Sequence, residues 1–278
     1  MKLDKFILIH LSMSYAGPNR SMAVDFDREV WNNIVERCIE RGYKGILLDV
    51  LDGIKYESHP CIADPDGWTV EEMRKEVKRL KERGLTLYPK VNFSAAHDWW
   101  IKEYRDKLST PEYYQFCKDI IEELYDVFDY PEYIHLGLDE EFPDVATTNT
   151  HYRKKPQVFE DYRYLIDCVR NLGAKCLSWT STCMHNLEVW EQYFPKDIVF
   201  ICGQYYEFEE SKWTRIADQP KYVQDYYWGG GFEKRDLYKK YLERYGNTKI
   251  EFVEQDETIR MAADFFNYIG EKGYKFFY

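Results

Sequence analysis

The sequence has little basic charge and no long apolar run. Lysine and arginine number 38 against 49 aspartate and glutamate residues, which gives a net charge of −11. Binding to a phosphate backbone relies on clustered Lys and Arg, so this balance argues against nucleic acid as a partner. No stretch reaches the ~18 consecutive apolar residues that a membrane-spanning helix needs, so we expect no membrane segment.

Closely spaced cysteines and a signal-peptide pattern are also lacking. The 7 cysteines are scattered singly, without a Cys-x-x-Cys pair, and this pattern indicates reduced thiols rather than a disulfide framework or a zinc site. The first residues lead directly into an apolar strand without the pattern of a secretory signal. We therefore expect a cytoplasmic protein, with a secreted form whose signal peptide has been removed as the alternative.

What is present is a regular alternation of apolar runs and amphipathic segments, with no linker rich in Pro, Gly or Ser. Eight strands with seven helical segments between them predict an α/β fold, a single (β/α)8 TIM barrel over 1–278 that lacks its final helix. An open doubly wound sheet is the alternative, but no Gly-x-Gly-x-x-Gly or P-loop pattern supports it. The predicted strands are 6–11, 45–50, 85–93, 133–138, 175–180, 198–203, 249–253 and 274–278, and the predicted helices are 27–41, 69–83, 109–128, 157–172, 187–193, 236–244 and 259–271.

One stretch, Tyr133-Ile134-His135-Leu136-Gly137-Leu138-Asp139-Glu140-Glu141, is an apolar strand that runs directly into three carboxylates. Packing gives no reason for this, because adjacent like charges repel each other and resist desolvation. Their proximity tends to raise at least one pKa, as a group that donates a proton near neutral pH requires. A solvated loop after a strand is the alternative interpretation.

Polar and aromatic side chains also follow most of the other predicted strands. In a barrel, the chemistry lies at the carboxyl ends of the strands. Acids and aromatic rings together are the two classes of side chain that a glycosidase needs, although loops are polar in any case and a single Trp often packs in a core. The residues at these ends, with Trp228 from the long connection 207–248, are His10, Asp49, Lys90, Asn92, His97, Asp139, Glu140, Glu141, Trp179, Gln204, Tyr205, Tyr206, Glu254 and Asp256.

The stretch 135–140, His-Leu-Gly-Leu-Asp-Glu, resembles the His-x-Gly-Gly-Asp-Glu signature of family 20 glycoside hydrolases, the β-N-acetylhexosaminidases, with Leu138 at the second Gly. The resemblance implies a barrel whose fourth strand ends in this motif. It also implies that Glu140 is the general acid/base and that Asp139 orients the 2-acetamido group of the substrate, which serves as nucleophile. Family members usually have an added N-terminal domain and a Trp-x-Glu on the eighth strand. This sequence shows neither, so it is more similar to single-barrel bacterial relatives of unassigned substrate.

A second similarity lies at 89–97, which resembles the family's Pro-Glu-x-Asp-x-Pro-Gly-His with one residue inserted and with its Glu, Asp, Pro and Gly changed. It implies that His97 hydrogen-bonds Glu140 and is backed by Asp49, with Asp52 as the alternative. Trp179 and Trp228 would wall the sugar pocket, and Tyr205 or Tyr206 would contact the acetamido carbonyl. The candidate substrate-binding residues are His10, Asp49, Asn92, His97, His135, Trp179, Gln204, Tyr205, Tyr206, Trp228 and Glu254.

Two alternatives to this mechanism stay open. Glu254, at the end of the seventh predicted strand, could act as the nucleophile of a retaining glycosidase with two carboxylates, or the barrel could bind sugars without catalysis. The first strand reads His10-Leu11-Ser12 rather than the His-x-His of metal-dependent barrel hydrolases. We therefore expect a carbohydrate substrate with neither metal nor cofactor. The sequence leaves the oligomeric state open.

Overall fold

The computed structural model describes residues 6–12, 28–139, 153, 156–179, 195, 197–201 and 275–277. The chain divides into two compact units, of which the first ends at Ser178 and the second begins at Trp179. In chain order the elements are β1 (Phe6–His10), α1 (Arg28–Glu40), β2 (Gly45–Asp49), β3 (Ile54–Lys55), β4 (Trp68–Thr69), α2 (Val70–Glu82), β5 (Thr86–Lys90), α3 (Pro111–Val127), β6 (Tyr133–His135), α4 (Gln157–Asn171), β7 (Lys175–Trp179), β8 (Val199–Ile201) and β9 (Lys275–Phe277).

The first unit is built on a parallel sheet with the strand order β1-β2-β5-β6-β7. Each of these strands pairs in parallel with the next. All five residues of β2 are buried, as expected for a central strand that is covered on both faces. The α/β fold with a parallel sheet is therefore confirmed, while closure into a single-domain barrel stays a prediction.

The helices between these strands begin where the sequence provides a cap. Thr69 accepts a hydrogen bond from the Glu72 N–H, and the Glu72 carboxylate accepts one from the Thr69 N–H in return, which is the reciprocal capping box at the start of α2. The Thr110 hydroxyl accepts a hydrogen bond from the Tyr113 N–H at the start of α3, and Pro111 occupies the first turn, where a missing N–H costs nothing. No helix among the described residues is long and apolar enough to cross a membrane.

Two features of the first unit were not predicted. A short parallel pair joins β3 to β4, and 3-10 turns occupy Pro60–Ile62 and Trp99–Lys107. The second of these bends at Lys102, whose φ is 50°. Its sequence mixes aromatic and charged residues without a helical period, so no pattern reveals it. The turn matters for the site because it buries Trp100, whose Nε1–H donates to the Asn92 carbonyl at 2.7 Å.

In the second unit, β8 pairs in parallel with β9, with Val199 beside Lys275. These strands fall inside the predicted segments 198–203 and 274–278. The predicted strand 249–253 and the predicted helices 187–193, 236–244 and 259–271 lie outside the described residues.

Candidate active site

Four side chains stand level across the carboxyl ends of neighbouring strands. The register pairs His10 with Asp49, Asp49 with Lys90, and Lys90 with His135. In a parallel sheet, paired positions present their side chains on the same face, so these four residues form one row. Asp49 is its centre: Oδ2 lies 2.7 Å from Lys90 Nζ and 2.8 Å from His10 Nδ1.

Asp49 is ionised despite being only 1% exposed. Burial by itself would raise the pKa of this carboxyl, but the charge of Lys90 and the hydrogen bond from His10 outweigh it and hold the pKa below its ordinary value. Lys90 is equally buried, at 3%. The row therefore contains a buried ion pair whose partners come from adjacent strands.

The second cluster surrounds Asp139, the first carboxylate of the acidic motif. Its Oδ1 accepts hydrogen bonds from Asn92 Nδ2 at 3.1 Å and from Ser94 Oγ at 2.5 Å. His97 Nδ1 lies 3.5 Å from the same oxygen. Burial alone would raise the pKa of Asp139, but His97 and Ser94 hold it well below its usual range. Asp139 is therefore a fixed, ionised hydrogen-bond acceptor at neutral pH.

The backbone before Asp139 has an unusual conformation. Gly137 has a φ of +78°, and a Cβ there would lie 2.1 Å from Asn92 Oδ1, so only glycine fits. Leu138 has a φ of 59° and is fully buried. It occupies the second glycine position of the signature, where a left-handed residue with a side chain costs roughly 1–2 kcal/mol. These two residues turn the chain so that Asp139 faces Asn92.

His135, the first residue of the motif, is fully buried and neutral. Its Nδ1 accepts the Gly137 N–H at 2.9 Å, so the ring proton is on Nε2. Burial and the neighbouring Lys90 charge lower its pKa to about 3. The neutral His135 side chain thus stabilises the turn at Gly137 by accepting this hydrogen bond.

This buried imidazole predicts a loss of stability in mild acid. The pKa of His135 is about 3 in the folded protein and about 6.5 in the unfolded chain. Between these values the unfolded chain binds the extra proton, so the free energy of unfolding falls as the pH falls, by up to about 1.4 kcal/mol per pH unit. Urea denaturation from pH 7 to pH 4 should show this slope.

A His135→Gln variant is the comparison for this experiment, because it removes the titrating group at that position. Its free energy of unfolding should depend less steeply on pH, while the carboxylates titrate in both proteins. Equal slopes would show that His135 is not the group responsible.

The resemblance implies that Asp49 bonds His97, but in the structure the partners of Asp49 are His10 and Lys90. Asp49 bonds His10 and Lys90 because the register sets them level with it, whereas His97 lies beyond the end of β5 and contacts Asp139. Asp52, the alternative, accepts a hydrogen bond from Ser12 Oγ at 2.5 Å.

The remaining predicted residues divide into two groups. Trp179 is the last residue of β7 and is 8% exposed. The others lie outside the described residues: Glu140, Glu141, Gln204, Tyr205, Tyr206, Trp228, Glu254 and Asp256.

Ser94 is a site residue that the sequence reasoning missed. Its N–H and its hydroxyl both lie within hydrogen-bonding distance of Asn92 Oδ1, at 3.1 and 2.6 Å. This is the turn that an Asn side chain forms with the backbone two residues later, and an Asn-x-Ser directly after a strand is its sequence signal. Among the described residues, no group of three or more His, Cys, Asp or Glu could hold a metal ion.

No protein-family model matches the chain, and no curated protein does either. Solved structures do match. The exo β-N-acetylglucosaminidase of family GH20 from Vibrio harveyi, in complex with N-acetylglucosamine, has a TM-score of 0.53 and 16% identity, and the match covers 75% of this chain and 38% of that one. The GH20 β-N-acetylhexosaminidase from Streptomyces coelicolor A3(2) has a TM-score of 0.55 and 13% identity, over 76% and 45% of the two chains.

The chain shares the fold of these GH20 structures. A third, the β-N-acetylhexosaminidase from Bacteroides fragilis NCTC 9343, has a TM-score of 0.54 and 16% identity, and the match covers 88% of this chain and 48% of that one. The chain thus spans less than half the length of each of these three proteins. The GH20-like resemblance that was first seen in the motif at 135–140 therefore extends to the fold.

Proposed function

We propose that the protein is a hexosaminidase-like glycoside hydrolase, folded as a (β/α)8 barrel, that removes a terminal N-acetylhexosamine. The observation that supports this most strongly is the state of Asp139. Asn92, Ser94 and His97 hold it ionised and fixed at the end of a parallel strand, directly before Glu140. A carboxylate in that state suits the orientation of a substrate group better than it suits proton donation.

In this mechanism Asp139 accepts a hydrogen bond from the N–H of the 2-acetamido group. That bond orients the acetamido carbonyl oxygen towards the anomeric carbon and makes it more nucleophilic. Glu140 protonates the departing glycosidic oxygen and later takes a proton from the attacking water, as one group acting first as acid and then as base. Neither step requires a metal or cofactor.

The other proposed contacts serve substrate binding. His10 and His97, which are partly exposed, offer polar atoms near the strand ends. Asn92, Asp49 and His135 are buried and act through their neighbours. Asn92 bonds Asp139, Asp49 bonds His10, and His135 accepts the Gly137 N–H. Trp179, Trp228, Gln204, one of Tyr205 and Tyr206, and Glu254 stay predictions, as does the cytoplasmic location. The matching structure from Vibrio harveyi is a complex with N-acetylglucosamine, which supports the choice of sugar.

Two inhibitor probes test the acetamido route against the route through Glu254. A thiazoline mimics the cyclised acetamido intermediate and should bind tightly to the wild-type protein. It should bind much more weakly to Asp139→Asn, because the amide replaces an ionised acceptor. Asp126→Asn, a change to an exposed carboxylate on α3, is the control that should leave inhibition intact.

A 2-fluoro glycoside should leave no covalent adduct on the protein in a mass spectrum. An adduct on Glu254 would replace the acetamido route by direct displacement, which needs two carboxyl groups about 5–5.5 Å apart. Binding of N-acetylhexosamines without hydrolysis of any aryl glycoside in a broad panel would instead identify a non-catalytic carbohydrate-binding barrel.

A further inference from the structure

Several backbone groups of the irregular segment 92–94, which holds Asp139, bond partners outside regular strand pairing. The Asn92 carbonyl accepts from Trp100 Nε1 at 2.7 Å. The Phe93 N–H donates to the Leu136 carbonyl at 3.2 Å, and the Phe93 carbonyl accepts from Arg153 Nη2 at 2.8 Å. Since buried backbone groups need such partners, these bonds determine where the segment lies.

Arg153 is itself held by a buried carboxylate. Its Nη1 donates to Asp161 Oδ2 at 3.1 Å, and the side chains of the two residues are 3% and 0% exposed. Asp161, on α4, also accepts hydrogen bonds from Ser109, Tyr114 and Gln157. With both carboxylate oxygens engaged, Asp161 fixes the direction of the guanidinium plane, and the planar fork then points one nitrogen at Phe93.

Asp139 and Arg153 therefore attach to the same short segment from two directions. Asn92 and Ser94 bond Asp139 through their side chains, and Phe93 between them bonds Arg153 through its carbonyl. We infer that Arg153 is a positioning residue for the reaction: anchored by Asp161, it holds segment 92–94 in the place that orients Asp139. This inference rests on the proposed role of Asp139 and extends it to a residue that touches no substrate.

Arg153→Lys is the variant that tests this inference. It keeps a cation beside Asp161, so the fold should survive, but it lacks the rigid fork that reaches Asp161 and the Phe93 carbonyl together. We expect kcat on an N-acetylhexosaminide to fall by about 10–100-fold with little change in KM, because a displacement of about 1 Å can cost that much in rate. Arg153→Met should show a larger fall, provided that circular dichroism confirms its fold.

A double-mutant cycle separates positioning from a general structural role. If Arg153 acts through Asp139, then Arg153→Lys should have almost no further effect on kcat in an Asp139→Asn background. The matched control is Arg79→Met, which breaks a different Arg–carboxylate pair, the one with Glu76 in α2, and should leave kcat unchanged. Equal losses from Arg153→Lys in both backgrounds would overturn the inference.

A measurement without turnover keeps this test distinct from that of the proposed function. With ¹³C-labelled aspartate, the pKa of the Asp139 carboxyl should lie well below its ordinary value in the wild-type protein, and in Arg153→Lys it should rise measurably towards the ordinary value near 3.9. An unchanged titration in the folded variant contradicts the positioning role. If Asp139→Asn retains full activity, the proposed function of Asp139 fails, and the titration alone then decides whether Arg153 positions this carboxylate.

Discussion

Replacing Glu140 by Gln should lower kcat for the hydrolysis of an N-acetylhexosaminide by about 10²–10⁴-fold, the usual contribution of a general acid/base. The amide has nearly the shape of the carboxyl group but can neither donate the proton to the leaving oxygen nor accept one from water. The loss should be largest for alkyl glycosides. It should be smaller for nitrophenyl glycosides in the first step, because their leaving group needs less protonation. Steady-state kinetics on a matched pair of such substrates measures both values.

The adjacent carboxylate provides the control. Glu141→Gln removes the same charge one residue further along the motif, so it tests whether the loss comes from proton transfer or from the general field of the acidic cluster. Activity should largely survive this change. If Glu141→Gln abolishes hydrolysis while Glu140→Gln does not, the acid/base has been assigned to the wrong residue.

A Gly137→Ala substitution should both destabilise the protein and damage the site. Its Cβ would lie 2.1 Å from Asn92 Oδ1 and 2.9 Å from the Asn92 Cα, so backbone as well as side chain must shift. Together with the left-handed φ, overpacking of this kind costs about 2–4 kcal/mol of unfolding free energy. Because Asn92 is one of the donors to Asp139, the shift should also reduce kcat. Denaturation and kinetics on one preparation measure both effects.

A Gly84→Ala substitution measures the cost of the left-handed backbone conformation without a steric clash. Gly84 has nearly the same φ, +79°, but a Cβ there meets nothing within 4 Å. The expected cost is therefore about 1 kcal/mol from the backbone alone, without any change in kcat. Equal destabilisation by the two substitutions would show that the close approach of Asn92 does not matter.

Helices and strands could be predicted where apolar residues recur at a regular spacing, or where a capping residue, a glycine or a charged residue marks the end of the segment. Helix α2 was expected at 69–83 and occupies Val70–Glu82, because Thr69 and Gly84 mark its limits and apolar residues recur on one face. Helix α4 was expected at 157–172 and occupies Gln157–Asn171, because Gly173 marks its end and apolar residues recur on one face. Strand β2 ends at Asp49, where an apolar run meets a charge. The bounds of such segments are local properties of the chain.

The pairings within the site could not be predicted in this way. Whether Asp49 lies beside His97 or beside Lys90 depends on how far each strand slides against the next, and a fully apolar parallel strand has no alternation that fixes this register. The contact of Arg153 is even harder to predict, because nothing in the neighbouring sequence indicates that its side chain reaches Phe93. Contacts of this kind exist only once the layers have packed.

Ser94 has one hydroxyl proton and two oxygen atoms within reach that could accept it. Its Oγ lies 2.5 Å from Asp139 Oδ1 and 2.6 Å from Asn92 Oδ1. Rotation about a single C–O bond, on the timescale of picoseconds to nanoseconds, redirects that proton without moving any heavy atom. When an acetamido N–H arrives at Asp139, the hydroxyl can turn to Asn92, so the site exchanges one donor for another without leaving the carboxylate unsolvated.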